Sequence, residues 1–205
     1  MPRLSWSATE LAEHRRRELG VTLQSALDRS RWHHDRLAPF DLSEIGPDDL
    51  SALPPMTKSD LMANWDDIVT DPRLTLAAAQ AYLDEIDSRG LQPWHGEYLV
   101  FASGGSTGEP GVFCWSLAEM ARWGASSIRW SAAAGIAPPK RPAWVSARSL
   151  RHPSAVAAIL SGGTPDLIVA VDRPVADIVE RLNALQPDAL SVLCSMLPAL
   201  VDAAD

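Results

Sequence analysis

The chain has 205 residues, of which 46% are hydrophobic and 21% charged, with a formal net charge of −8. This suits a soluble globular chain with one well-buried domain, two at the most, and the acidic balance argues against nucleic acid as a partner, which Lys and Arg must hold by neutralising phosphates. No apolar run approaches the ~20 residues of a membrane span. With no apolar leader and two widely spaced cysteines, Cys114 and Cys194, the reading is a cytoplasmic protein with reduced thiols.

Thr9, just before Glu10, is the candidate N-cap of a first helix. Leu19, Leu23, Ala26, Leu27 and Leu37 carry the helical pattern to about Leu37, with a break near Gly20. Pro39 and Phe40 end it. The run Arg15–Arg17 lies among Glu10, Glu13 and Glu18 and reads as a solvated, salt-paired face. His33, His34 and Asp35 are adjacent, point in different directions on a helix, and read as helical surface, not metal ligands. Asp41 to Pro55 is an acidic, proline-bearing connector. Thr57 starts another helix. Thr75 to Arg89 is a third, with Gly90 where a C-cap belongs. Residues 1–95 are thus expected to be mainly helical.

Next, the apolar run Tyr98–Phe101 enters a stretch of glycines and hydroxyls, and Val112, Phe113 and Trp115 resume the apolar pattern. That reads as strand, tight loop, strand. Ser103, Gly104, Gly105, Ser106, Thr107 and Gly108 can form a nest of N–H and O–H donors suited to phosphate oxygens. It is not a Walker A loop, since Glu109 and Pro110 follow Gly108 where Lys and Ser/Thr are required. Nor is the glycine spacing that of a dinucleotide fingerprint. Composition alone leaves a plain glycine-rich hairpin equally open. Ser106 lacks the nucleophile-elbow sequence of serine hydrolases. Cys114 reads as a buried small hydrophobe.

Ser116 starts a helix carrying Leu117, Met120, Ala121, Trp123 and Ile128, stopped by Pro138 and Pro139. Then come a strand over Ala143–Ala147, a helix over Ser154–Leu160, a strand over Leu167–Val171, a helix over Val175–Leu185 and a strand over Ala189–Leu193. This alternation predicts an α/β region, 96–205, with some parallel strands. The eight tryptophans are spread along the chain and read as core and rim packing.

Four segments, in this order, resemble adenylate-forming enzymes, most closely the phenylacetate–coenzyme A ligase-like branch. They are Leu53-Pro-Pro-Met-Thr-Lys-Ser-Asp-Leu61, Gly96-Glu-Tyr-Leu-Val-Phe-Ala102, the loop Ala102–Pro110, and Leu182-Asn-Ala-Leu-Gln-Pro-Asp-Ala-Leu190. The resemblance implies an α/β fold, the N-terminal part of the family's large domain, with both regions belonging to one incomplete domain. It implies that Ser103, Gly104, Gly105, Ser106, Thr107 and Gly108 hold the β- and γ-phosphates of ATP. It places His152, in Arg151-His-Pro-Ser154, over the carboxylate of a small acid and the α-phosphate. Glu109, where many members carry Lys, is expected to point away from the triphosphate.

The implied reaction joins a carboxylate to ATP, giving an acyl-adenylate and pyrophosphate, then a thioester with coenzyme A or another thiol. Mg2+ would accompany ATP, with its ligand outside this chain. The family's adenine-contacting element, ribose aspartate and catalytic lysine are not recognisable here. The expectation is therefore an N-terminal portion, inactive alone, that is a homo-oligomer or is complemented by a C-terminal half. The alternative is a short, catalytically dead relative acting as an interaction module or as one half of a split enzyme.

Overall fold

In the computed structural model, which describes residues 5–104 and 110–203, the first helix opens on a capping box. Ser7 Oγ accepts the Glu10 N–H at 3.2 Å, and the Glu10 carboxylate accepts the Ser7 N–H at 2.7 Å. Two N–H groups left open by the first turn are thus satisfied reciprocally. The N-cap is Ser7, not Thr9, which lies inside the first turn of α1 (Ala8–Arg29). The same bonds from Ser7 hold the Glu10 carboxyl below its ordinary range.

The break expected near Gly20 does not occur there. Gly20 sits in the middle of α1 in open space, at a modest propensity cost. The chain breaks instead at Ser30, whose φ of −118° and ψ of 117° are extended. Ser30 ends one helix and starts the next. Its N–H donates to the Ala26 carbonyl at 3.1 Å, and its own carbonyl accepts the His34 N–H at 2.8 Å. Its hydroxyl donates to the Asp67 carbonyl at 2.9 Å and accepts the His33 N–H. Only 2% of Ser30 is exposed. A buried hydroxyl with two partners overrides a local propensity signal.

The short helix α2 (Arg31–Leu37) follows, then the connector with one 3-10 turn at Leu50–Ala52. Thr57 and Asp60 form a second capping box at the start of α3 (Lys58–Ala63). The short α4 (Trp65–Ile68) buries Trp65, and α5 (Leu76–Arg89) ends at Gly90, whose φ is +79°. Leu23, Leu37, Leu61, Leu74 and Ala79 are buried with Trp65.

The chain divides into two compact units, Met1–Gln80 and Ala81–Asp205. In the second, β1 (Tyr98–Ala102) pairs antiparallel with β2 (Val112–Ser116), with Phe101 opposite Phe113 and Leu99 opposite Trp115. Directly opposite residues share a face. A third capping box, Ser116 with Glu119, launches α6 (Leu117–Ala133). That helix ends before Pro138 and Pro139, which were expected to stop it. Gly135 takes a φ of +69°, its N–H donates to the Ala132 carbonyl, and the Ile136 N–H donates to the Ser131 carbonyl. This glycine-closed end satisfies the last carbonyls before any proline is reached.

A separate three-stranded sheet has the order β4-β3-β5, from β3 (Pro142–Ser146), β4 (Ile168–Ala170) and β5 (Ala189–Val192), with β3 parallel to both neighbours. Helix α7 (Pro153–Leu160) connects β3 to β4, and α8 (Val175–Leu185) connects β4 to β5. A turn at Cys194–Met196 and a last helix, α9 (Leu197–Asp202), close the described chain; the strand and helix patterns of the sequence did not anticipate them. The second unit is therefore mixed α/β with small sheets. One cluster buries Val145, Val169, Ile178 and Leu200; another buries Leu99, Phe101 and Val156.

Asp188, in the Pro-Asp element, has a structural task. It accepts the N–H groups of Lys140 and Arg141 at 2.9 and 2.8 Å, which aligns the starts of β3 and β5 and lowers its pKa. The tryptophans divide as follows: Trp65 is core, Trp115 and Trp123 are partly exposed, and Trp130 is 66% exposed. Cys114 is half-buried, not fully buried as expected; it shares the less exposed face of β2 with Val112, opposite Phe113 and Trp115.

Two substitutions test this helical order. Ser30→Ala should destabilise by about 1–3 kcal/mol, since the Asp67 carbonyl and the α2 cap lose a partner. Gly20→Ala should stabilise by about 0.5–1 kcal/mol. Urea unfolding of each variant measures both.

Candidate functional site

The two paired strands bring together Ser103 and Gly111, which flank the glycine-rich stretch. At its mouth the Ser103 N–H donates to the Gly111 carbonyl at 2.8 Å. Ser103 Oγ accepts the Gly111 N–H, also at 2.8 Å. The Ser103 hydroxyl therefore closes the loop, and only its own hydrogen remains for a ligand. Gly104 is exposed. Gly105, Ser106, Thr107, Gly108 and Glu109 lie outside the described residues.

His152 comes to this loop from α7. A methyl group placed on Gly104 would lie 3.8 Å from His152 Nε2. The imidazole's orientation follows from its other nitrogen. His152 Nδ1 accepts the Ser154 N–H at 3.2 Å and lies 2.9 Å from Ser154 Oγ. That hydroxyl also accepts the Ala147 N–H at 3.1 Å. A nitrogen that accepts a backbone N–H has its lone pair engaged, so in the neutral imidazole the hydrogen sits on Nε2, the nitrogen nearer Gly104. His152 is thus the N-cap of α7 and a donor toward the loop at once. The next two N–H groups of α7, on Ala155 and Val156, go to the His152 carbonyl. The helix end therefore offers a partial positive charge, while its first N–H groups are engaged.

The segment leading to His152 is clamped from α5. Asp87 accepts the Ser149 hydroxyl and the Leu150 N–H, both at 2.7 Å. Asp84 accepts from Arg151 Nη1 at 3.0 Å. The Arg151 carbonyl accepts the Ala102 N–H at 2.7 Å, which joins this segment to the end of β1. Ser154, Asp84 and Asp87 were not singled out in the sequence. They stand in ordinary helical patterns; Asp84 and Asp87 hold residues far away along the chain, while Ser154 holds His152 and Ala147 nearby.

An apolar cavity of about 350 Å3 opens at Pro153 and Ser154, the residues that follow His152, and is walled by Phe101, Phe113, Trp115, Met120 and Trp123. Phe101 and Trp115 meet edge to face, with centroids 6.2 Å apart. The alternation of Phe113 and Trp115 around Cys114 was the one sequence signal for this wall. Such a space suits an apolar ligand body, with polar groups only at the His152 end. Among the described residues no group of three or more His, Cys, Asp or Glu side chains could hold a metal ion, and no helix is long and apolar enough to cross a membrane.

No family model and no curated protein matches this chain.

The clamp has a direct readout. Asp87→Ala removes the acceptor for the Leu150 N–H, so that amide should exchange with solvent about tenfold faster, a change worth about 1–1.5 kcal/mol locally. Hydrogen exchange followed by NMR measures it, with amides of β3 as the unaffected reference.

Proposed function

We propose that this chain contributes the phosphate cradle and the carboxylate-facing wall of an ATP-dependent, acid-activating, adenylate-forming ligase. The observation that carries the reading is the approach of His152 Nε2 to Gly104 at the mouth of the glycine-rich turn. A ligand that touches both can set an acceptor oxygen, such as that of an anionic group, against the Nε2–H. A carboxylate at the α-phosphate of a nucleotide supplies such an oxygen. The resemblance of four ordered segments to the phenylacetate–coenzyme A ligase-like branch agrees with it.

In this proposal the turn's N–H and hydroxyl groups hold the β- and γ-phosphates. The His152 Nε2–H donates to the acid carboxylate or to a non-bridging α-phosphate oxygen. The carboxylate oxygen attacks the α-phosphorus, the bond to the β-phosphate oxygen breaks, and pyrophosphate leaves. Donors fixed beforehand by Ser154 and the Asp87 clamp need little rearrangement as charge develops. The aromatic cavity holds the apolar part of the acid and excludes water. Attack of a thiol on the acyl carbon then releases AMP and gives the thioester, coenzyme A being one such thiol. Magnesium would accompany ATP and neutralise charge on its phosphates, with its protein ligand outside this chain.

A second reading has its own observation. Phe113, Trp115, Trp123, Ile128 and Trp130 are 39–66% exposed on β2 and α6. A row of large apolar side chains in water seeks cover. An interaction module, a homo-oligomer, or a chain complemented by a C-terminal half would each supply it.

Calorimetric titration separates the readings. Under the ligase reading ATP and pyrophosphate bind more tightly than AMP, because the assigned contacts are to phosphates and not to adenine or ribose. AMP binding tighter than pyrophosphate overturns the assignment. Light scattering at two salt concentrations addresses the second reading. Self-association that persists at high salt is expected, since apolar burial survives the screening of charges. A monodisperse monomer at both concentrations would mean that the exposed row needs no second copy.

A further inference from the structure

Strand β4 ends the order β4-β3-β5, and among the described residues nothing pairs with its other edge. Its register with β3 decides which backbone groups that edge presents. The Trp144 N–H donates to the Leu167 carbonyl, and the Val171 N–H donates to the Ser146 carbonyl. Trp144 stands beside Ile168 and Ser146 beside Ala170. In a parallel ladder this directs the N–H and C=O of Val169 toward β3, and those of Ile168 and Ala170 outward. The Ala170 carbonyl accepts the Arg173 N–H at 3.3 Å. The Ile168 N–H, the Ile168 carbonyl and the Ala170 N–H remain on the open side.

That side is a groove of about 800 Å3. Ala155 and Ile159 of α7 and the strand residues Ile168 and Val169 give it an apolar floor. Its charged lining is three arginines, Arg148, Arg173 and Arg181, in a chain whose net charge is −8. The arginines stand at opposite ends of the strand. Arg181 donates to the Asp166 carbonyl at 3.0 Å, just before β4. Arg148 and Arg173 flank Asp172, just after it. Asp172 is the facing carboxylate there, and hydrogen bonding from Arg148 holds it below the ordinary range.

Strand β4 has three residues, about 10 Å, and the chain turns at either end of it. A single phosphate has only acceptor oxygens and cannot satisfy the Ile168 carbonyl, whereas an extended peptide pairs with both the N–H and the C=O groups of the edge and carries its side chains on to the arginines at the two ends. Charged side chains at a sheet edge also serve to block unwanted pairing. Arginines at the two ends, with a bare apolar floor between them, leave room for a strand of complementary charge.

We propose that the free edge of β4 takes an extended acidic segment of a partner protein by strand addition, its backbone pairing with Ile168 and Ala170 and its carboxylates meeting Arg148, Arg173 and Arg181. Main-chain bonds supply the affinity and the arginines select the charge. The site is independent of the acid-activation reading: Ala155 and Ile159 face this groove, and Pro153, Ser154 and Ala157 face the aromatic cavity.

The test is an NMR titration of the full chain with the capped peptide Asp-Asp-Val-Thr-Val-Asp-Asp. Parallel titrations use the same peptide with Lys for every Asp, and the acidic peptide N-methylated at alternate residues. Amide shifts centred on Ile168 and Ala170 are expected with the acidic peptide, and none with the lysine peptide. N-methylation should weaken binding about tenfold, and Arg173→Gln with Arg181→Gln about fivefold. Equal binding of acidic and lysine peptides, equal binding after N-methylation in both registers, or shifts confined to other elements would overturn the proposal. So would self-association of the chain through the same two amides, which would assign the edge to a second copy.

Discussion

The hydrogen bond from the Ala102 N–H to the Arg151 carbonyl joins the two halves of the candidate site. Ala102 is the last residue of β1, just before the glycine-rich turn. Arg151 immediately precedes His152. A bond of this kind contributes only about 0.5–1.5 kcal/mol net, so it does not act alone. Burial of Leu99 and Phe101 against Val156 holds the hairpin and α7 together, at about 1.5–3 kcal/mol for each large side chain. The apolar contact sets the distance between the elements, and the hydrogen bond sets their register.

Helix α7 is short and has a different neighbour on each side. Val156 packs with the hairpin cluster. Ala155 and Ile159 line the groove beside β4, while Pro153, Ser154 and Ala157 line the aromatic cavity. Its small residues explain how two cavities can share one helix: alanine occupies little space, so neighbouring elements enclose voids beside it. At Gly163 there is no such room. A Cβ there would lie 2.7 Å from the Ala158 carbonyl oxygen. The turn that brings the chain from α7 into β4 therefore depends on glycine.

Two segments that carry the family resemblance have structural tasks of their own. Thr57 and Asp60 cap α3, and Asp188 aligns β3 with β5. Similar local needs can draw similar residues in unrelated chains. The glycine-rich turn and His152 weigh more in the functional proposal, since capping α7 leaves the His152 Nε2–H directed at Gly104 without a structural reason for it to be there.

Most helices and strands were legible in the sequence because their signals are local. Thr57, Ser116 and Gly90 mark helix ends through bonds or dihedral freedom within a few residues. Short apolar runs likewise marked β1, β2 and β3. The misplaced features show the limit of that reading. Ser30 breaks the first helix pair through a partner 37 residues away, and no window around Gly20 or Ser30 contains it. The clamp from Asp84 and Asp87 to the segment before His152 is also nonlocal, as are the sheet order and the open edge of β4. The sequence by itself determined the helix starts at Thr57 and Ser116, the helix end at Gly90 and the apolar runs of the strands. Only the tertiary structure decided which of them meet, because those contacts depend on how whole elements pack and not on the spacing of residues along one element.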